Sequence, residues 1–123
     1  MKMKVLFNTH NRAFQNFGGG EIVLLKTSNS DDESFNFEFI YLEESGAEYL
    51  KNLNVKAVGI DALGIERSQS NHSTHKVLLS EKIPIIEGLR LQDVEEGKYK
   101  FVGFPIKIKE VEASLLRAVL IKE

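Results

Sequence analysis

Glu21-Ile22-Val23-Leu24-Leu25-Lys26-Thr27 is a compact apolar run with β-branched residues, closed by Gly20 on one side and Ser28-Asn29-Ser30-Asp31-Asp32 on the other. That length and composition between turn formers read as a buried strand. Its backbone donors and acceptors need neighbouring strands to pair with.

Phe37-Glu38-Phe39-Ile40-Tyr41-Leu42 alternates and then turns apolar, which predicts a strand entering the core from an edge. From Glu43 to Leu53 the period changes. Ala47, Leu50 and Leu53 recur at helical steps with Glu44 and Glu48 opposite, so an amphipathic helix is expected, bounded by Ser45 and by Asn52-Leu53-Asn54. Val55 to Asp61 predicts a further strand, and Ala62 to Thr74, mostly polar and without periodicity from Ser68 on, an exposed loop. Thr74 is the expected cap of a short helix through Ser80, and Ile83-Pro84-Ile85-Ile86-Glu87-Gly88-Leu89 reads as a buried strand. Asp93 to Gly97 reads as a turn, and Tyr99 to Lys109 and Leu116 to Ile121 as two closing strands. Near the start, Val5-Leu6-Phe7 predicts a short strand, and Phe14 to Gly20 a glycine-rich loop. The expected class is α/β, a strand-rich mixed sheet or partial barrel with one or two helices.

With 123 residues, 42% of them hydrophobic and 28% charged, one folded domain is expected. Sixteen Lys and Arg against 18 Asp and Glu leave a net charge of −2, which lacks the positive field of a nonspecific nucleic-acid binder. The absence of cysteine rules out disulfides and thiolate sites, so any metal would sit on His, Asp or Glu. Met1 to Phe7 is too short an apolar stretch for a signal peptide or membrane span, and a cytoplasmic location is the default expectation.

His75 and Glu87 stand 12 positions apart, with a short helix and a turn between them that let the chain double back. Imidazole nitrogen and carboxylate oxygen are suitable ligands for Zn²⁺ or Mn²⁺. The competing reading of His75 is a surface or helix-capping residue. Glu87 interrupts an apolar strand and so demands a partner; the plainer alternative is an edge strand with Glu87 paired to Lys82 or Arg90. His72 lies one helical step before His75, but its Ser/Asn surroundings place it in a solvated loop, outside the candidate set.

The blocks Glu21 to Thr27, Phe39 to Leu42 with Gly46 to Leu50, Val55 to Asp61, His75 to Leu79, Ile83 to Leu89, Phe104 to Ile108 and Ser114 to Leu120 resemble, in order, those of the cyclase family, which includes kynurenine formamidases. Together they span about 100 residues. The resemblance implies a swivelling β/β/α fold over 21–123, present as its C-terminal part, with residues 1–20 a separate strand and loop. It implies that His75 and Glu87 are the late ligands of a one- or two-metal centre holding Zn or Mn. The implied activity is hydrolysis of a small-molecule amide such as N-formylkynurenine, by water that the metal activates. A homo-oligomer is expected, with no nucleic-acid or membrane partner. Leu115 stands where the family commonly has proline.

The family also carries an upstream H-x-G-T-H-x-D-x-P stretch with the early ligands and a catalytic histidine. Here Thr9-His10 is its only echo, followed by Asn11-Arg12-Ala13. Met3 to His10 and Phe14 to Glu21 instead resemble the opening strand and glycine-rich loop of glycosyltransferases with two Rossmann-like domains. The expectations are therefore a cyclase-type hydrolase whose remaining ligands come from another chain, a noncatalytic structural remnant of that fold, or a glycosyltransferase fragment.

Overall fold

The computed structural model describes the backbone of residues 2–7 and the chain from 20 to 122. The histidine of Thr9-His10 and most of the expected glycine-rich loop lie outside the described residues. The strands are β1 (Lys2–Phe7), β2 (Ile22–Lys26), β3 (Ala57–Ile60), β4 (Ile85–Ile86), β5 (Gly97–Pro105) and β6 (Leu116–Lys122). The helices are α1 (Glu44–Asn52) and α2 (Ser73–Ser80), with one 3-10 turn at Ser28–Asp31. The strands form one mixed sheet in the order β4-β3-β2-β1-β5-β6. β1 to β4 run parallel, whereas β5 is antiparallel to β1 and β6 to β5. This is the α/β, strand-rich mixed sheet with two helices that the sequence predicts.

The apolar run at β2 is continuous because both of its faces are covered, as in parallel sheets generally. Val23 and Leu25 join α1, α2 and β3 in one cluster through Ala47, Leu50, Leu78, Val58 and Ile60. Ile22 and Leu24 face the opposite side and meet Ala57, Leu91 and Tyr99. Gly59 in β3 is required by this packing, since a Cβ there would run into Leu24 and Leu89. α1 ends at Leu53 and Asn54, and Asn54 takes the left-handed φ of 54° that closes many helices.

Three expectations are corrected. Residues 37–42 form no strand: the side-chain amide of Asn29 donates to the Ile40 carbonyl and accepts the Ile40 N–H, each at 2.9 Å, and Leu42 N–H goes to Ile65 O at 2.8 Å. Those backbone groups are thus satisfied without a neighbouring strand. The strand expected over Ile83 to Leu89 shrinks to β4, because Ile83 N–H bonds back to Leu78 O at 3.0 Å and Gly88, at φ 69°, turns the chain away. Finally, Thr74 does not cap α2. His72 holds the cap position with left-handed backbone and no capping bond from its side chain, while the buried Thr74 hydroxyl donates to Leu42 O at 2.8 Å.

Candidate metal centre

The carboxyl ends of parallel strands leave a crevice where αβ sheets commonly place ligands. Here β3 ends at Ile60 and β4 at Ile86, so Asp61 and Glu87 emerge at that edge. Asp61 is buried and structural. Its carboxylate accepts Thr27 N–H at 2.8 Å, the Thr27 hydroxyl at 2.9 Å and the Ser30 hydroxyl, tying the end of β2 to the end of β3. Glu87 is 36% exposed and turns the other way, toward α2.

His75 stands in the first turn of α2 and meets a carboxylate on each side of its ring. Nε2 lies 3.3 Å from Glu87 Oε1, and Nδ1 lies 2.9 Å from Glu66 Oε1. The structure therefore brings together the pair singled out from sequence. Glu87 does not depend on Arg90, which pairs with Glu33 at 2.7 Å; its Oε1 also accepts the Ile65 N–H at 2.9 Å.

Glu66 is the residue that sequence reasoning missed. Its side chain is 5% exposed, and Oε1 sits 2.7 Å from His72 Nδ1 as well as near His75. Oε2 accepts the His75 backbone N–H at 3.2 Å, a free donor of the first turn of α2, while Gln69 Oε1 accepts the next one back, from Thr74, at 3.2 Å. Burial pushes the Glu66 carboxyl up, but the His75 and His72 rings, the His75 N–H and the charge of His75 outweigh burial and hold it below its ordinary value. His72, expected in a solvated loop, is 73% exposed, and its Nδ1 also sits 2.7 Å from Glu66 Oε1. Glu66 lies in a stretch without periodicity, nine positions before His75, so no sequence signal links the two.

The donors suit a divalent metal. One ligand atom each from Glu66, His72 and His75 lie within 4.8 Å of one another, with Glu66 at the Nδ1 side of the His75 ring, whereas Glu87 faces Nε2, so Glu87 and Glu66 cannot share one ion with this ring. The His75 Nδ1 is buried and, despite its 2.9 Å approach to Glu66, is not aligned in a hydrogen bond. On the other side, the His75 Nε2 to Glu87 Oε1 separation of 3.3 Å is what two ligands bound at about 2.0–2.2 Å to one ion allow. A carboxylate behind the second nitrogen is the usual support for a metal-bound histidine. A cavity of about 320 Å³, lined by Ser30, Phe35, Phe39, Asp61, Gly88 and Arg90, among others, includes none of Glu66, His72, His75 and Glu87 in its wall.

Comparison with known proteins first gives the class. A solved structure described as a potential metal-dependent hydrolase with cyclase activity superposes with a TM-score of 0.90 at 43% identity, over 97% of this chain and 63% of its own. The particular relatives follow. Kynurenine formamidase of Erythrobacter litoralis is 40% identical over 74 residues, 59% of this chain and 34% of that protein. Cyclase-like protein 3 of Oryza sativa subsp. japonica is 32% identical over 111 residues, 85% of this chain and 41% of that protein. No family model matches. These likenesses support the cyclase family and, with the His/Glu cluster, a divalent metal; they show no glycosyltransferase resemblance. The chain spans about a third to two-fifths of the length of these two curated relatives. Among the described residues no helix is long and apolar enough to cross a membrane.

Proposed function

We propose that this chain carries the late half of the metal site of a cyclase-type amide hydrolase, with His75 and Glu87 as ligands and an N-formylkynurenine-like amide as substrate. The observation that carries the reading is the His75 ring held between Glu87 and the buried Glu66. When bound, a Zn or Mn ion would supply Lewis acidity and lower the pKa of water toward neutrality. The chain's own residues do the positioning. Glu66 fixes the backbone of His75 and stands 2.9 Å from its ring Nδ1, and Ile65 N–H holds the Glu87 oxygen in place. His75 and Glu87 are each about one-third exposed, so this side of the ring is open to a ligand.

Catalytic zinc sites generally use three protein ligands, and the upstream H-x-G-T-H-x-D-x-P stretch does not occur in this sequence. A second copy of this sequence lacks that stretch too, so turnover needs other donors in its place, supplied by another chain. The same two-ligand set favours the second reading, a noncatalytic remnant of the fold. The purified protein, loaded with Zn²⁺ or Mn²⁺ and assayed on N-formylkynurenine, is expected to show metal-dependent turnover that His75→Ala and Glu87→Ala abolish. No turnover with any divalent metal would leave the noncatalytic reading standing.

A further inference from the structure

The carboxyl ends of β2, β3 and β4 border the cavity of about 320 Å³, since Ser28, Asp61, Ala62 and Gly88, just beyond those strands, stand in its wall. Much of the remaining wall is the segment from Asn29 to Ile40. That segment is tied down at several points. The Asn29 side chain clasps the Ile40 backbone, Ser30 bonds Asp61, and Glu33 reaches across to Arg90 at 2.7 Å. A wall held in this way stands before any ligand arrives, which lowers the ordering cost of binding. The volume suits a small molecule, because ligand pockets run from about 300 Å³ upward.

The lining selects the charge of that molecule. Four carboxylates, Asp32, Glu33, Glu38 and Asp61, stand in the wall against one cation, Arg90. Two of them are already paired, Glu33 with Arg90 and Glu38 with Arg67 at 3.2 Å. The other two have only neutral partners. Asp32 accepts the Ser34 N–H at 2.8 Å, and that bond, with help from the Ser34 hydroxyl, holds its carboxyl below the ordinary value. Asp61 is 7% exposed, and its donors are the Thr27 N–H and the Thr27 and Ser30 hydroxyls. A carboxylate so far from water normally has a cation beside it, whereas Asp61 borders the cavity.

The apolar part of the lining is open to water: Phe35, Leu63 and Ile40 are 64%, 55% and 37% exposed. Phe39 already has the Arg67 guanidinium over its ring, 5.9 Å from the centroid. Among the described residues no cation stands over Phe35. We infer that this cavity is a binding site for a small arylalkylammonium ion, its cation beside Asp32 and Asp61 and its apolar body against Phe35 and Leu63. Covering those side chains supplies affinity, and the two carboxylates without cations supply the preference for positive charge. None of Glu66, His72, His75 and Glu87 lines this cavity, so the inference stands apart from the metal chemistry.

The test is an NMR titration of the whole ¹⁵N-labelled chain with phenethylammonium chloride at constant ionic strength. Phenethyl alcohol and hydrocinnamate, which carry the same ring without a charge and with a negative one, are the comparisons. Saturable shifts are expected at residues 29–40, 61–63 and 88–92, with the alcohol bound roughly ten-fold more weakly and the anion more weakly still. Asp32→Asn and Phe35→Ala, both at exposed positions, should each weaken phenethylammonium roughly five-fold or more and leave the remaining spectrum in place. Should either variant unfold, the ranking of the three probes on wild type decides. The proposal is overturned by the absence of saturable shifts, by shifts centred on other residues such as His72 and His75, by alcohol and ammonium binding alike, or by folded variants that bind as wild type does.

Discussion

Glu66 meets His75 at two points: Oε2 accepts the His75 backbone N–H at 3.2 Å, and Oε1 stands 2.9 Å from Nδ1 of its ring. One carboxylate thus ties down the start of α2 and lies against the ring nitrogen opposite the one that faces Glu87. The consequence is that Nε2 is directed to Glu87 before any ion arrives.

If that preorganisation supports metal binding, Glu66→Gln lowers zinc affinity about 10- to 100-fold, the usual effect of losing the carboxylate behind a ligand histidine. Competition against a fluorescent chelator measures it. Affinity unchanged from wild type would show that Glu66 only caps the helix.

The same carboxylate makes stability depend on pH. Its folded-state pKa is lowered from 4.5, so the unfolded chain binds more protons in acid. Its contribution is fully present above about pH 4.5 and is lost as pH falls through the lower folded value. Urea unfolding of chelator-treated protein from about pH 7 to about pH 3 should give wild type a steeper acid loss than Glu66→Gln. Parallel curves would contradict the assignment.

Much of this architecture is legible from the chain. The buried run at β2 and the helical spacing of Ala47 and Leu50 predict elements that form, because burial pattern decides both. Residues 37–42 mislead because alternation says nothing about a side chain, here Asn29, that takes the place of a neighbouring strand. Glu87 and His75 stand out through their setting and the family blocks around them. Glu66 does not, since its role exists only after a loop folds back across nine positions.

Thr74 shows how much that loop depends on buried polar groups. Thr74→Val keeps the volume but leaves the Leu42 carbonyl without its donor and removes the acceptor for Gln69 Nε2. A loss of about 1–3 kcal/mol is expected by urea denaturation. A loss below experimental error would mean that water replaces the hydroxyl.

Gly59→Ala probes the sheet beneath the centre. The added methyl meets Leu24 and Leu89 in a packed core, and overpacking of this kind costs about 1–3 kcal/mol. Thermal unfolding would register it as a lowered midpoint, and an unchanged midpoint would show that those leucines yield freely.

The central claim is that His75 and Glu87 bind the same ion. Crystals of the zinc-loaded protein, measured across the zinc absorption edge, are expected to show an anomalous peak about 2.0–2.2 Å from both His75 Nε2 and Glu87 Oε1. A peak on the Nδ1 side of the ring, among Glu66 and His72, or one remote from His75, would contradict it.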